Sequence, residues 1–116
     1  MTLKIAFQMD PPERLNFAAD STILLAQEAQ RRGHSVFYYT PQTLALRGTT
    51  LSARVHSLHL DPSANPPYRT GPEEIMDLRH FDLILMRQDP PFDMAYITAT
   101  HLLELVMKDV LVLNDP

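Results

Sequence analysis

Arg87 and Asp89 stand either side of Gln88, directly ahead of Pro90 and Pro91, and Asp10 stands directly ahead of Pro11 and Pro12. These are the residues whose type and spacing could do chemistry. A guanidinium donates two parallel hydrogen bonds, so Arg87 suits a carboxylate or a phosphate. Asp89 could hold that guanidinium in place, with the two prolines stiffening the loop that carries both. The same pair could instead pin a tight turn before a helix, and the residues alone lean toward that structural role. Asp10 divides the same way. Its carboxylate could receive a substrate amino group, or Asp-Pro could simply initiate a turn, which turn preferences favour.

Other chemistries are harder to build. His56 and His59 lie three apart on a predicted strand, hence on opposite faces, where one metal ion is hard to share. His34, His80 and His101 read as surface or packing residues. With no cysteine, disulfides, thiolate metal sites and a thiol nucleophile are excluded. No G-x-G-x-x-G follows the first apolar run, where Asp10-Pro11-Pro12-Glu13 stands instead. A G-x-x-x-x-G-K-[ST] loop, a G-x-S-x-G elbow and an H-E-x-x-H pair are absent too. The pattern disfavours a self-sufficient nucleotide-dependent enzyme or hydrolase, and it assigns no catalytic residue and no metal ligand.

The elements that must position Asp10 and Arg87 follow from periodicity. Residues 3–9 (LKIAFQM) form an apolar run that the prolines close, which predicts a buried strand. Asp20 stands at an N-cap position, and Thr22, Leu25, Ala26 and Ala29 form a helical stripe that Gly33 ends. Residues 34–40 (HSVFYYT) predict a second strand, completing a βαβ unit and so a parallel sheet. Residues 44–48 and 51–60 alternate about a turn at Gly48, which predicts a hairpin with one wet face. Residues 61–72 carry Pro62, Pro66, Pro67, Gly71 and Pro72 and predict a loop; residues 73–78 predict a short helix. Residues 82–86 predict a central strand. Asp93 caps a predicted helix bearing Ala95, Ala99, Leu102, Leu103 and Val106, and residues 110–113 predict a final buried strand. The expected fold is α/β: a Rossmann-like three-layer domain over residues 1–116, with a mostly parallel sheet and an inserted β-hairpin. Both candidate loops then lie past the carboxyl ends of strands, where open α/β sheets bind ligands.

Composition narrows the partners. The 116 residues carry a net charge of −4, and the ten lysines and arginines are spread along the chain, so a nucleic-acid face is not expected. The longest apolar runs fall far short of the roughly 20 residues that span a bilayer. The expectation is a cytoplasmic protein with no membrane partner.

Beyond these readings lies a resemblance. Residues 86–93 (MRQDPPFD) are similar to the M-R-K-D-P-P-F-D signature of prokaryotic glutathione synthetases, departing only at Gln88, where the family has Lys. Met9-Asp10-Pro11 resembles that family's M-D-P after the first strand. Asp20-Ser21 and residues 28–34, then Tyr96, Ala99-Thr100, Leu103-Glu104, Asn114 and Pro116, match further family positions in order. The resemblance covers the chain from end to end and implies the N-terminal, pre-ATP-grasp domain of an ATP-grasp ligase. Such an enzyme joins γ-glutamylcysteine to glycine and makes glutathione. It implies that Arg87 contacts substrate, with Asp10 and Asp89 shaping the pocket. It implies ATP and Mg bound by a C-terminal ATP-grasp domain, with none bound by this chain, and a homo-oligomer in the intact enzyme. Gln88 removes one positive charge beside Arg87 and puts the role of that lysine in question. The alternatives are a stand-alone module binding a small ligand or partner, or the N-terminal domain of another ATP-grasp ligase. The family's lid and nucleotide-binding residues have no counterpart in residues 1–116, so the isolated chain is expected to be inactive. ATP-dependent ligation by this chain with no added partner would refute that expectation.

Overall fold

An apolar run with no polar face has to be covered on both sides, and four of the five residues of the first strand are buried. The structure, a computed structural model, describes residues 2–14, 21–87, 102–103, 106–107 and 109–114. In chain order it shows β1 (Lys4–Gln8), a 3-10 turn (Pro12–Arg14), α1 (Ser21–Arg31), β2 (Ser35–Tyr39), a 3-10 turn (Pro41–Thr43) and β3 (Ala45–Arg47). Then come β4 (Thr50–Leu60), β5 (Tyr68–Thr70), β6 (Glu74–Asp77), a 3-10 turn (Leu78–His80), β7 (Leu83–Met86) and β8 (Leu111–Asn114).

β1 pairs in parallel with β2 on one side and with β7 on the other, and β7 pairs in parallel with β8. The sheet continues from β2 into antiparallel β4, giving the order β3-β4-β2-β1-β7-β8. The chain leaves β1 toward β2 and later returns to β7 on the opposite side, so the strand order reverses between β1 and β7. That reversal is the topological switch point.

Two cores fill the two faces. Ile5, Phe7, Met9 and Val36 pack with Ile23 and Ala26 of α1, while Ala6, Tyr39, Ile84 and Met86 pack with Leu103, Val106 and Val110. The 11-residue β4 serves both, because successive side chains alternate across a strand. Leu51, Ala53 and Val55 enter the second core; Leu58 and Leu60 enter the core beneath α1.

α1 ends as its sequence dictates. Gly33 takes φ +86°, and Gly33 and His34 donate their backbone N–H groups to the carbonyls of Gln30 and Ala29, satisfying the last turn. Hydrogen bonds from Arg31 and Arg32 hold the exposed Glu28 carboxyl down to about 2. The helix is turned slightly from its predicted face. Thr22, Ile23 and Ala26 are buried, whereas Leu25 is 43% exposed.

Three other expectations are corrected. Residues 73–78 form strand β6 with a following 3-10 turn, not a helix: Met76 faces the core, Ile75 faces out, and pairing with β4 outweighs the helix preference of Glu, Met and Leu. The stretch 61–72 is not all loop, because β5 pairs with the end of β4. The last strand is not fully buried, since Leu111 and Leu113 are exposed on a strand that pairs only with β7 among the described residues. The predicted helix from Asp93 lies mostly outside the described residues. No helix is long and apolar enough to cross a membrane among the described residues.

Beneath the carboxyl edge lies a buried polar contact: the Tyr39 hydroxyl donates to Gln8 Oε1 at 2.9 Å, with both residues 0% exposed. Burial pushes the Tyr39 hydroxyl pKa well up, so it stays a donor. Tyr39→Phe removes that donor from a buried amide and is expected to destabilise the domain by about 1–2 kcal/mol. Urea unfolding checks it: the midpoint falls while the slope is unchanged.

Candidate substrate-binding site

The parallel registers place Tyr39 opposite Gln8, Gln8 opposite Met86 and Met86 opposite Asn114, so four strands end in one row. The next residues of β1 and β7 extend it. The Arg87 backbone N–H donates to the Gln8 carbonyl at 2.7 Å, and that of Met9 donates to the Tyr39 carbonyl at 3.1 Å. Arg87 is therefore anchored at the switch point by its own main chain.

Alternation then sets where its side chain goes. Leu83 and Leu85 pack toward the core under α1, so Arg87 points to the same face and meets the start of the helix. Its Nε donates to Thr22 Oγ1 at 3.2 Å, and its Nη2 donates to Ser21 Oγ. Both acceptors sit in the first turn of α1, where the helix dipole is positive. The two hydroxyls that hold the guanidinium carry no charge, and the helix end adds positive potential beside it. The local field suits an anion.

Asp10 lies in the bend after β1, half-buried, with no hydrogen bond to its carboxylate among the described residues. The structure thus puts Asp10 and Arg87 on adjacent strands at the same edge. Asp89, expected to brace Arg87, lies outside the described residues, as does Gln88. The described braces are Ser21 and Thr22, which the sequence marks only as a residue after the N-cap and the first residue of the helical stripe. Two hydroxyls in a first helical turn carry no signal of a partner 65 positions on. His56 and His59 gather no others: the described residues hold no group of three or more metal-ligating side chains.

The arrangement defines a class first: an open α/β domain with an arginine at its switch point. A family model described as prokaryotic glutathione synthetase, N-terminal domain, matches residues 3–116. The chain is 49% identical to a glutathione synthetase of Rhodopseudomonas palustris and 47% identical to one of Brucella melitensis, each over all of this chain and 37% of the relative. It is 35% identical to a glutathione synthetase of Salmonella typhimurium, over 98% of this chain and 36% of that relative. The chain belongs to the prokaryotic glutathione synthetase N-terminal domain family. It spans about 37% of the length of these two curated relatives. A stand-alone module or a different ATP-grasp ligase is not favoured by these matches.

Thr22 is buried, and its hydroxyl orients Arg87. Thr22→Val keeps the shape and deletes the acceptor. The Arg87 Nε–H resonance in a nitrogen-correlated proton spectrum is expected to be slow to exchange in the unsubstituted protein and to broaden or vanish in the variant. An unchanged resonance would show that Thr22 does not position Arg87.

Proposed function

We propose that this chain forms the substrate-binding wall of an ATP-dependent ligase that joins γ-glutamylcysteine to glycine. One observation carries the reading: Arg87, within the motif at 86–93, stands at the switch point with its guanidinium on the first turn of α1. Arg87 holds an anionic end of the dipeptide, donating paired hydrogen bonds while the helix end adds positive potential. Asp10 and Asp89 shape the same mouth, with Asp10 able to accept from a substrate N–H. ATP with magnesium, held by an ATP-grasp domain of the same enzyme, supplies the phosphoryl group that activates the cysteinyl carboxylate. Glycine's amine then attacks that carbon and phosphate leaves. This chain's share is binding, orientation and charge complementarity, exercised in a cytoplasmic homo-oligomer as one domain over residues 1–116.

Calorimetric titration of γ-glutamylcysteine or glutathione into the protein tests the reading. Arg87→Ala is expected to weaken binding by about 1.5–3 kcal/mol, roughly 10- to 100-fold in Kd. Equal affinity of the two proteins would leave Arg87 a structural residue.

A further inference from the structure

The two crossovers at the switch point leave part of the sheet uncovered. β1 to β2 and β7 to β8 step in opposite directions, and right-handed connections then put their covers on opposite faces. α1 lies over one face, on Ile5, Phe7 and Val36; Leu103 and Val106, between β7 and β8, lie over the other. The α1 face of β7 and β8 therefore has no cover of its own among the described residues. Its side chains are Leu83 and Leu85 of β7, paired with Leu111 and Leu113 of β8. Leu83 and Leu85 are half-buried, whereas Leu111 is 60% and Leu113 45% exposed.

The flank of α1 completes a trough. Arg87, just past β7, bonds to Ser21 and Thr22, so the side of α1 toward β7 carries those residues and, one turn on, Leu25. Leu25 is exposed as well. Parallel strands are ordinarily covered on both faces, and a contiguous apolar patch of this kind marks a surface that takes a partner. The trough is one helix wide. Two strand spacings carry β8 about 10 Å past β1, and neighbouring helices pack about 8–10 Å apart.

The sequence points to the cover. In its longer relatives this domain is N-terminal and matches 37% of the enzyme, so most of the protein follows β8. Asp115 and Pro116, the next residues after β8, are the types favoured at a helix N-cap and at the first helical position. A helix that starts there starts at the rim of the trough.

Resting on the ligase reading above, we infer that the trough of Leu25, Leu83, Leu85, Leu111 and Leu113 seats an amphipathic helix from the part of the same ligase that follows residue 116. Its apolar stripe covers the leucines, and its polar side meets solvent. Arg87 follows Leu85 by two residues on the same face, so this helix borders the substrate mouth and ties the following portion of the ligase to it.

The test labels single cysteines in the intact ligase. Leu111→Cys and Leu113→Cys are compared with Ile75→Cys, at an exposed position on β6. Each variant meets a water-soluble maleimide, and modification at that position is timed by peptide mass spectrometry. The cover is expected to slow both trough positions by about 100-fold or more relative to Ile75→Cys. Equal rates at the three positions overturn the inference. p-Benzoylphenylalanine in place of Leu25 then identifies the occupant on irradiation. A cross-link within one chain to a peptide beyond residue 116 is expected; a cross-link joining two copies, or none beyond residue 116, overturns it. Neither readout depends on catalysis. An enzyme with a protected trough that fails to ligate γ-glutamylcysteine and glycine overturns the ligase reading and leaves the cover standing.

Discussion

β1 is held in parallel register between β2 and β7, and that pairing sets Tyr39, Gln8 and Met86 in one row. A slip of β1 by one residue would turn all its side chains to the opposite face and move the Gln8 carbonyl that anchors the Arg87 main chain. The same slip would part the Tyr39 hydroxyl from Gln8 and bring Phe7, an apolar ring, into the polar position. Burial on both faces forbids this, since Ile5 and Phe7 would exchange cores with Ala6. Register is therefore the constraint through which a packed interior specifies a solvent-facing arginine.

The switch point supplies the second half of the logic. With β2 and β7 on opposite sides of β1, the strand order reverses there, and such a switch point is the mouth at which open α/β sheets take ligands. Asp10 and Arg87 stand on its two sides. α1 brings its first turn to that mouth because Thr22, Ile23 and Ala26 pack down on the sheet. Packing energy thus places a helix dipole and two hydroxyls beside Arg87, at no separate cost in ordering. On the other flank, β4 crosses from one core to the other and carries Arg54 outward at the crossing, next to Glu73 and the Tyr38–His56 stack.

Much of this was legible before the structure. The βαβ unit followed from an apolar run, a capped helix and an aromatic strand, and the turn at Gly48 joined β3 to β4 as expected. What misled was local preference at the sheet's margin. Residues 73–78 hold good helix formers, yet an open edge of β4 offered them backbone partners, and Ile75 ends 75% exposed. Tyr68–Thr70 is too short to declare itself between Pro67 and Gly71, and only pairing with β4 makes it a strand. Arg87 was visible as a candidate through its place after a strand, but its partners Ser21 and Thr22 were not. Contacts across 65 residues depend on how α1 rolls against the sheet, and the helical stripe did not resolve Ile23 from Leu25.

The central claim is that the row of strand ends at the switch point, where Asp10 and Arg87 stand, takes the dipeptide in the proposed ligase. Amide chemical-shift mapping during titration with γ-glutamylcysteine reads that row directly. The account predicts shifts confined to residues at the carboxyl edge, namely those near Asp10, Ser21, Thr40 and Arg87, with the opposite edge near Lys4, Ser35 and Leu83 silent. Shifts centred on that opposite edge, or none at saturating dipeptide, would contradict it.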